Sequence, residues 1–236
     1  PIPSRGLGDV YKRQSYNIFL KMFNKIFCVS DNDYHQIKMN ISNDKIYKIG
    51  NPRYDRILNN LENVEYKLDL SLKDEGNILI FASMWDEDNK IIFEKFINSP
   101  LVNSFEKVII VPHEVNDYYL NYYCSVLEDN DFSFKKINQY QNFNQFEEKY
   151  IIINKVGFLS KLYAQSTIAY VGGGFSKSGI HNIIEPAAAS NPVIFGSNFL
   201  NSNKSDAEGL IDVSGGFSVD SYEPVSYTHL RAHETV

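Results

Sequence analysis

Five short runs in the second half of the chain are apolar on almost every residue: NILIFAS (77–83), KVIIVP (107–112), YIIIN (150–154), TIAYV (167–171) and PVIFG (192–196). A strand with one wet face alternates apolar and polar side chains, so a strand lacking that alternation needs cover on both sides. Between the runs lie segments of helical character. DEDNKIIFEKFI (86–97) pairs Ile92 with Phe96 and Phe93 with Ile97 at i, i+4, and has acids in its first turn. NDYYLNYYCSVLED (116–129), GFLSKLYAQS (157–166), NIIEPAAAS (182–190) and SDAEGLI (205–211) read as further helices, and FSFKKI and GFSV as further strands. Fully buried strands separated by helices predict a parallel sheet with helices on both faces. With right-handed crossovers that is a doubly wound, Rossmann-like α/β domain.

The first part of the chain is sparser. KIFCVS (25–30) reads as a buried strand, DNDYHQIKMN (31–40) as a helix opened by an Asp/Asn cap, and KIYKIG (45–50) as a second strand, stopped by Gly50, Asn51 and Pro52. The polar stretch NNLENVEYKLDLSLKDEGN (59–77) has no clean period and predicts a linker or peripheral element. Both ends depart from the Asn/Ile/Lys/Phe bias of the middle. PIPSRGLGDVYKRQ (1–14) and VSYTHLRAHETV (225–236) look like adapter-derived sequence, and we exclude them as non-native. His229 and His233 go with them.

Of the 236 residues, 43% are hydrophobic and 22% charged, enough apolar material for a core. A net charge of -6 with interspersed signs argues against a nucleic-acid partner, which would call for a basic stripe. No apolar run is long enough to span a bilayer. Cys28 and Cys124 sit in apolar contexts without metal-ligand spacing and are expected to be reduced and buried.

In a doubly wound sheet, ligands bind beyond the carboxyl ends of the strands. The loop with the most chemistry there is YVGGGFSKSGIHNIIEPAAASNPVIFG (170–196). Gly172, Gly173 and Gly174 can turn the chain tightly or let backbone approach a ligand. A helix starting near His181 or Asn182 would offer free N–H groups to a phosphate. The spacing is not GxGxxG and the junction falls late in the chain, so a nicotinamide fingerprint fails. Asn182 and Glu185 fit a capping box, or Glu185 accepts from ribose hydroxyls. His181 reads as a loop residue or a ligand contact. Ser83 would bond a phosphate or cap the helix at Asp86, and Trp85 would be a lid or a core aromatic. His113, after Pro112, is by itself a loop histidine. Asp86, Glu87 and Asp88 read as a solvated first turn, and His35, His113 and His181 lie on separate elements.

Taken together, these loops resemble the 3-deoxy-D-manno-octulosonic acid (Kdo) transferases, GT-B glycosyltransferases of the lipopolysaccharide core. The resemblance rests mainly on VGGGFSKSGIHNIIEPAAASNPVIFG, with GNPRYDRI (50–57), FASMWDED, VPHEV and NKVGFLSKLYAQSTIAYVGGG in the family's order; it covers about residues 23–219. It implies that residues 15–58 are the end of the N-terminal GT-B domain and the hinge, and that 59–224 are the C-terminal donor-binding domain. The donor is CMP-Kdo, with no cofactor and no metal. Glu185 would hold the ribose hydroxyls. Gly172, Gly173, Gly174, His181 and Asn182 would face the phosphate and sugar carboxylate, Pro112 and His113 the cytidine, and Ser83 the phosphate. The acceptor would be the lipid A precursor, at the cytoplasmic face of the bacterial inner membrane. The general base, acceptor site and membrane contact are expected in an N-terminal domain outside these residues, so this chain would bind nucleotide without turnover. The chain departs from the family in reading Pro-His-Glu for Pro-Arg-His, Ser83-Met84 for Ser-Thr, and FGSNFLNSN for a Gly-Pro. The alternatives are a GT-B transferase using a UDP-sugar and a non-catalytic nucleotide-binding domain.

Overall fold

The computed structural model describes residues 15–16, 18–39, 41–63, 76–138, 146–157, 159–199 and 203–222. The excluded ends, residues 1–14 and 225–236, and most of the polar stretch lie outside them. The described residues divide into two compact units, one up to Asn60 and one from Leu61.

In the first unit, β1 (Ile26–Cys28) and β2 (Ile46–Lys48) form a parallel pair, with α1 (Asp31–Lys38) between them. The cap of α1 is Ser30, one residue before the expected Asp/Asn cap. Its hydroxyl accepts from the Asp33 N–H, and the Asp33 carboxylate accepts from the Ser30 N–H, a closed capping box. Strand β1 is only partly buried: Cys28 points inward with Leu20, Ile41 and Ile46, while Phe27 is exposed. A helix, α2 (Pro52–Asn63), follows and takes up the start of the polar stretch.

The second unit is the expected sheet. Its strands are β3 (Ile78–Met84), β4 (Lys107–Pro112), β5 (Phe134–Ile137), β6 (Tyr150–Ile153), β7 (Ile168–Val171), β8 (Val193–Gly196) and β9 (Gly216–Val219). They run in the order β5-β6-β4-β3-β7-β8-β9, every pair parallel. The helices are α3 (residues 86–97), α4 (Asp117–Asp129), α5 (Leu159–Tyr163), α6 (Ile184–Ala188) and α7 (Lys204–Asp212).

Period two explains the layers. Leu79, Phe81, Val108, Ile110, Tyr150 and Ile152 face one side, against Phe93 and Phe96 of α3 and Tyr123 and Leu127 of α4. Ile78, Ile80, Ile109, Ile151 and Ile153 face the other, against Leu162 and Tyr163 of α5. Both cysteines are free and buried, as expected.

Two features shape the ligand edge. The chain leaves β3 for β4 on one side and returns to β7 on the other, so the strand order reverses at β3. That is the switch point at which open α/β sheets bind ligands. Helix α3 is also irregular: an α-turn (Asp86–Asp88), a π-turn (Asn89–Phe93) and a second α-turn (Glu94–Ile97). Such π-turns often mark functional sites.

Candidate nucleotide site at the switch point

The register of β3 against β4 shifts between Ala82 and Met84, and Ser83 takes a left-handed φ of 54°. This is costly for a non-glycine residue. The kink aims the Ser83 carbonyl at β7, where a Cβ on Gly172 would lie 2.3 Å from that oxygen. Gly172 must therefore lack a side chain. Gly173 needs its φ of +94°, and a Cβ there would meet the Gly179 oxygen at 2.3 Å. Gly174 lies against the Gly196 backbone at the end of β8. All three glycines thus have a packing reason, the tight-turn alternative in its strong form.

The loop is held from several sides. Its Gly172 N–H donates to the Ala82 carbonyl at 2.8 Å and the His181 N–H to the Gly172 carbonyl at 3.2 Å. Beyond β8, the Asn198 N–H donates to the Gly174 carbonyl at 2.8 Å, and its side-chain amide donates to the Ser176 carbonyl. The Asn203 amide donates to the carbonyls of Ile180 and His181, at 3.0 and 3.2 Å.

Asp88 ties β3 to β7. It is fully buried, not part of a solvated turn. One oxygen accepts from the Trp85 N–H at 3.0 Å and the Gly173 N–H at 2.8 Å; the other accepts from the Tyr170 hydroxyl at 2.6 Å. Burial pushes its carboxyl above the ordinary carboxylate range, with the three hydrogen bonds opposing. Asp86-Glu87-Asp88 has the spacing of a metal-binding triplet, but the oxygens of Asp88 are engaged by protein donors. No group of three or more ligating side chains comes together among the described residues. The available sequence signal for Asp88 was Tyr170 itself, since a buried tyrosine in a central strand needs a partner for its hydroxyl.

Trp85 is half-buried and not a core aromatic. Its ring stacks on His113, centroids 3.8 Å apart and 21° between planes, and its Nε1–H donates to His181 Nε2 at 2.7 Å. His113 and His181, on separate elements, come within 4.6 Å. The His113 N–H donates to the Met84 carbonyl at 3.1 Å, continuing the β3–β4 pairing past the buried Pro112. Burial lowers the affinity of both imidazoles for a proton, and the nearby His113 lowers that of His181 further.

Helix α6 begins at Ile184, later than His181 or Asn182, and is five residues long. Its dipole is correspondingly small. The Asn182 side chain links the turn: Oδ1 accepts from the Ile184 N–H at 3.1 Å, and Nδ2 donates to Glu185 Oε1 at 2.9 Å. This replaces the capping box, in which the glutamate would accept from a backbone N–H. The structure thus gathers Ser83, Gly172, Gly173, Pro112, His113 and His181 at the ends of β3, β4 and β7, with Gly174 at β8. Asn182, at the end of the loop, and Glu185, in the first turn of α6, form a separate bonded pair.

No family model matches the chain. A 3-deoxy-D-manno-octulosonic acid transferase of Chlamydia trachomatis serovar D is 28% identical over 214 residues, which is 89% of this chain and 48% of that protein. One of Rickettsia prowazekii is 24% identical over 224 residues, 88% of this chain and 44% of that protein. The chain thus spans about half the length of the curated relatives it matches. Among solved structures, the C-terminal CMP-Kdo binding domain of WaaA from Acinetobacter baumannii superposes with a TM-score of 0.57 at 18% identity, covering 76% of this chain and 90% of that one. The resemblance read from the sequence is borne out, as is the doubly wound, Rossmann-like α/β fold. No described helix is long and apolar enough to cross a membrane.

Proposed function

We propose that this chain is the donor-binding part of a Kdo transferase, holding CMP-Kdo at the switch point of its sheet. The observation that carries the reading is the match of nearly the whole chain to proteins named as Kdo transferases. The gathering of its strand-end loops at the expected ligand edge supports it.

In the reaction, an acceptor hydroxyl of the lipid A precursor attacks the anomeric carbon of Kdo. The glycosidic C–O bond forms, the bond to the phosphate oxygen breaks, CMP leaves, and the hydroxyl proton passes to a base on the N-terminal domain of the whole protein. The acceptor and the contact with the cytoplasmic face of the inner membrane belong there too. This chain binds and orients the leaving group. Glu185 accepts from the ribose hydroxyls, its orientation set by the Asn182 amide. Ser83, His181 and Gly172–Gly174 border the phosphate, and Pro112 and His113 the cytosine. The donor supplies the chemistry without a cofactor or metal.

Calorimetric titration of the 236-residue chain with CMP and UMP tests this. CMP is expected to bind more tightly than UMP, and Glu185→Ala to weaken CMP by about tenfold, the worth of a hydrogen bond to a charged group. Equal affinity for CMP and UMP, or an unchanged affinity in a folded Glu185→Ala chain, would defeat the reading.

A further inference from the structure

Trp85 is the chain's one tryptophan. An indole N–H can only donate, so the 2.7 Å bond to His181 Nε2 makes that nitrogen an acceptor, without a proton. The neutral imidazole must then carry its proton on Nδ1. Among the described residues, His181 Nδ1 makes no hydrogen bond to protein, although the ring is half-buried. That N–H is open to solvent, so it is available to a ligand.

The arrangement is fixed on both sides. The Trp85 ring is stacked on His113, and its main chain is tied through Asp88 to Gly173. The His181 main chain is tied to Gly172 and Asn203. An edge-on indole held this firmly does more than fill space, since its N–H selects one of two tautomers.

We propose that Trp85 is a positioning residue: it holds His181 as the Nδ1–H tautomer and presents that N–H to a phosphate oxygen of the bound nucleotide. The proposal rests on the donor-site reading above and assigns a specific contact within it. A protonated His181 could not accept from Trp85, so the arrangement needs the neutral ring. The titratable groups around it are consistent with that. From the end of β4 come His113, which opposes a second positive charge, and Glu114, which acts on His113. Asp88 in the first turn of α3 is occupied by three protein donors, and Glu185 in the first turn of α6 by Asn182.

Nitrogen-15 NMR of the imidazoles at pH 7.5, on the wild-type chain and on Trp85→Phe, reads the tautomer directly and needs no ligand. Phenylalanine keeps an aromatic ring for stacking and removes the donor. The expected result is Nδ1–H for His181 in the wild type and a shift towards Nε2–H in the variant. Titrations with CMP and with cytidine, which lacks the phosphate, complete the test. Trp85→Phe should weaken CMP by about three- to tenfold, the range for one hydrogen bond partly lost, and leave cytidine unchanged. An Nε2–H tautomer in the wild type, an unmoved tautomer in the variant, or equal weakening of CMP and cytidine would overturn the proposal. A wild-type chain that binds no CMP would instead remove the donor-site reading and the phosphate contact with it, leaving the NMR result to decide the tautomer.

Discussion

Asp88 sits at full burial with three donors on two carboxylate oxygens, and what replaces it decides whether those donors keep a partner. Asparagine can keep all three contacts in one orientation. Its oxygen takes the two backbone N–H groups, and its amide donates to the Tyr170 oxygen. Alanine strands two buried N–H groups and a hydroxyl. Urea denaturation should therefore show Asp88→Asn costing no more than about 1 kcal/mol at neutral pH and Asp88→Ala about 3 kcal/mol or more. Linkage adds a sign. Because burial raises the native carboxyl above its unfolded value, the native state binds this proton more tightly. Wild-type stability from this group is then present below the ordinary carboxylate value of about 3.9 and is lost as pH rises through the native value. Asparagine has no such slope, so Asp88→Asn should gain on wild type between pH 4 and neutral. A difference that stays flat or moves the other way would contradict the raised carboxyl. None of this was legible from three acids in a row, where the composition reads as solvated. Only the third turns inward, and the partner that draws it in is 82 positions away.

Among the elements, the β7–α6 loop was the most legible in composition and the least in use. By type its glycines suit a tight turn or a close approach to a ligand; in the fold they let β3, β7 and β8 end against one another. Gly172 and Gly209 make a sharp pair. A Cβ on Gly172 meets the Ser83 carbonyl oxygen at 2.3 Å and carbon at 2.9 Å, both backbone, so the ends of two central strands would have to part. Gly209 lies exposed in α7 with nothing within 4 Å of a Cβ and no positive φ. Gly172→Ala should cost about 3 kcal/mol, the upper range for overpacking, and Gly209→Ala should gain about 0.5–1 kcal/mol from helix propensity. Thermal and urea midpoints moving in the same direction for both would refute this account of the loop. The strands were legible because burial on both faces leaves a signal in every residue. The π-turn in α3 and the late start of α6 were not, because both are settled by tertiary partners. Trp85, His113 and His181 could be named from their loops. Their convergence follows from the strand order, which no local pattern encodes.

At the scale of the whole molecule, the two units differ in what they can bury. From β3 onward, seven parallel strands carry helices against both faces, and Ile80, Val108, Ile110, Ile151 and Ile153 are at or near zero exposure. The earlier unit has two strands of three residues, and its core is Leu20, Cys28, Ile41 and Ile46. Its Asp31–Lys48 ion pair is surface-exposed and adds little. An isolated two-stranded sheet is marginal in water, and regions with few buried apolar contacts open at low free energy. Hydrogen exchange followed by mass spectrometry should thus find the amides of β3, β4, β6 and β7 the slowest in the chain. Those of β1, α1 and β2 should exchange orders of magnitude faster, through opening of their unit alone. In urea, the early unit should lose protection before the large sheet does. Uniform protection that is lost in one transition would mean that the two units share a single cooperative core, and the four-residue cluster would then be the wrong measure of the first unit's stability.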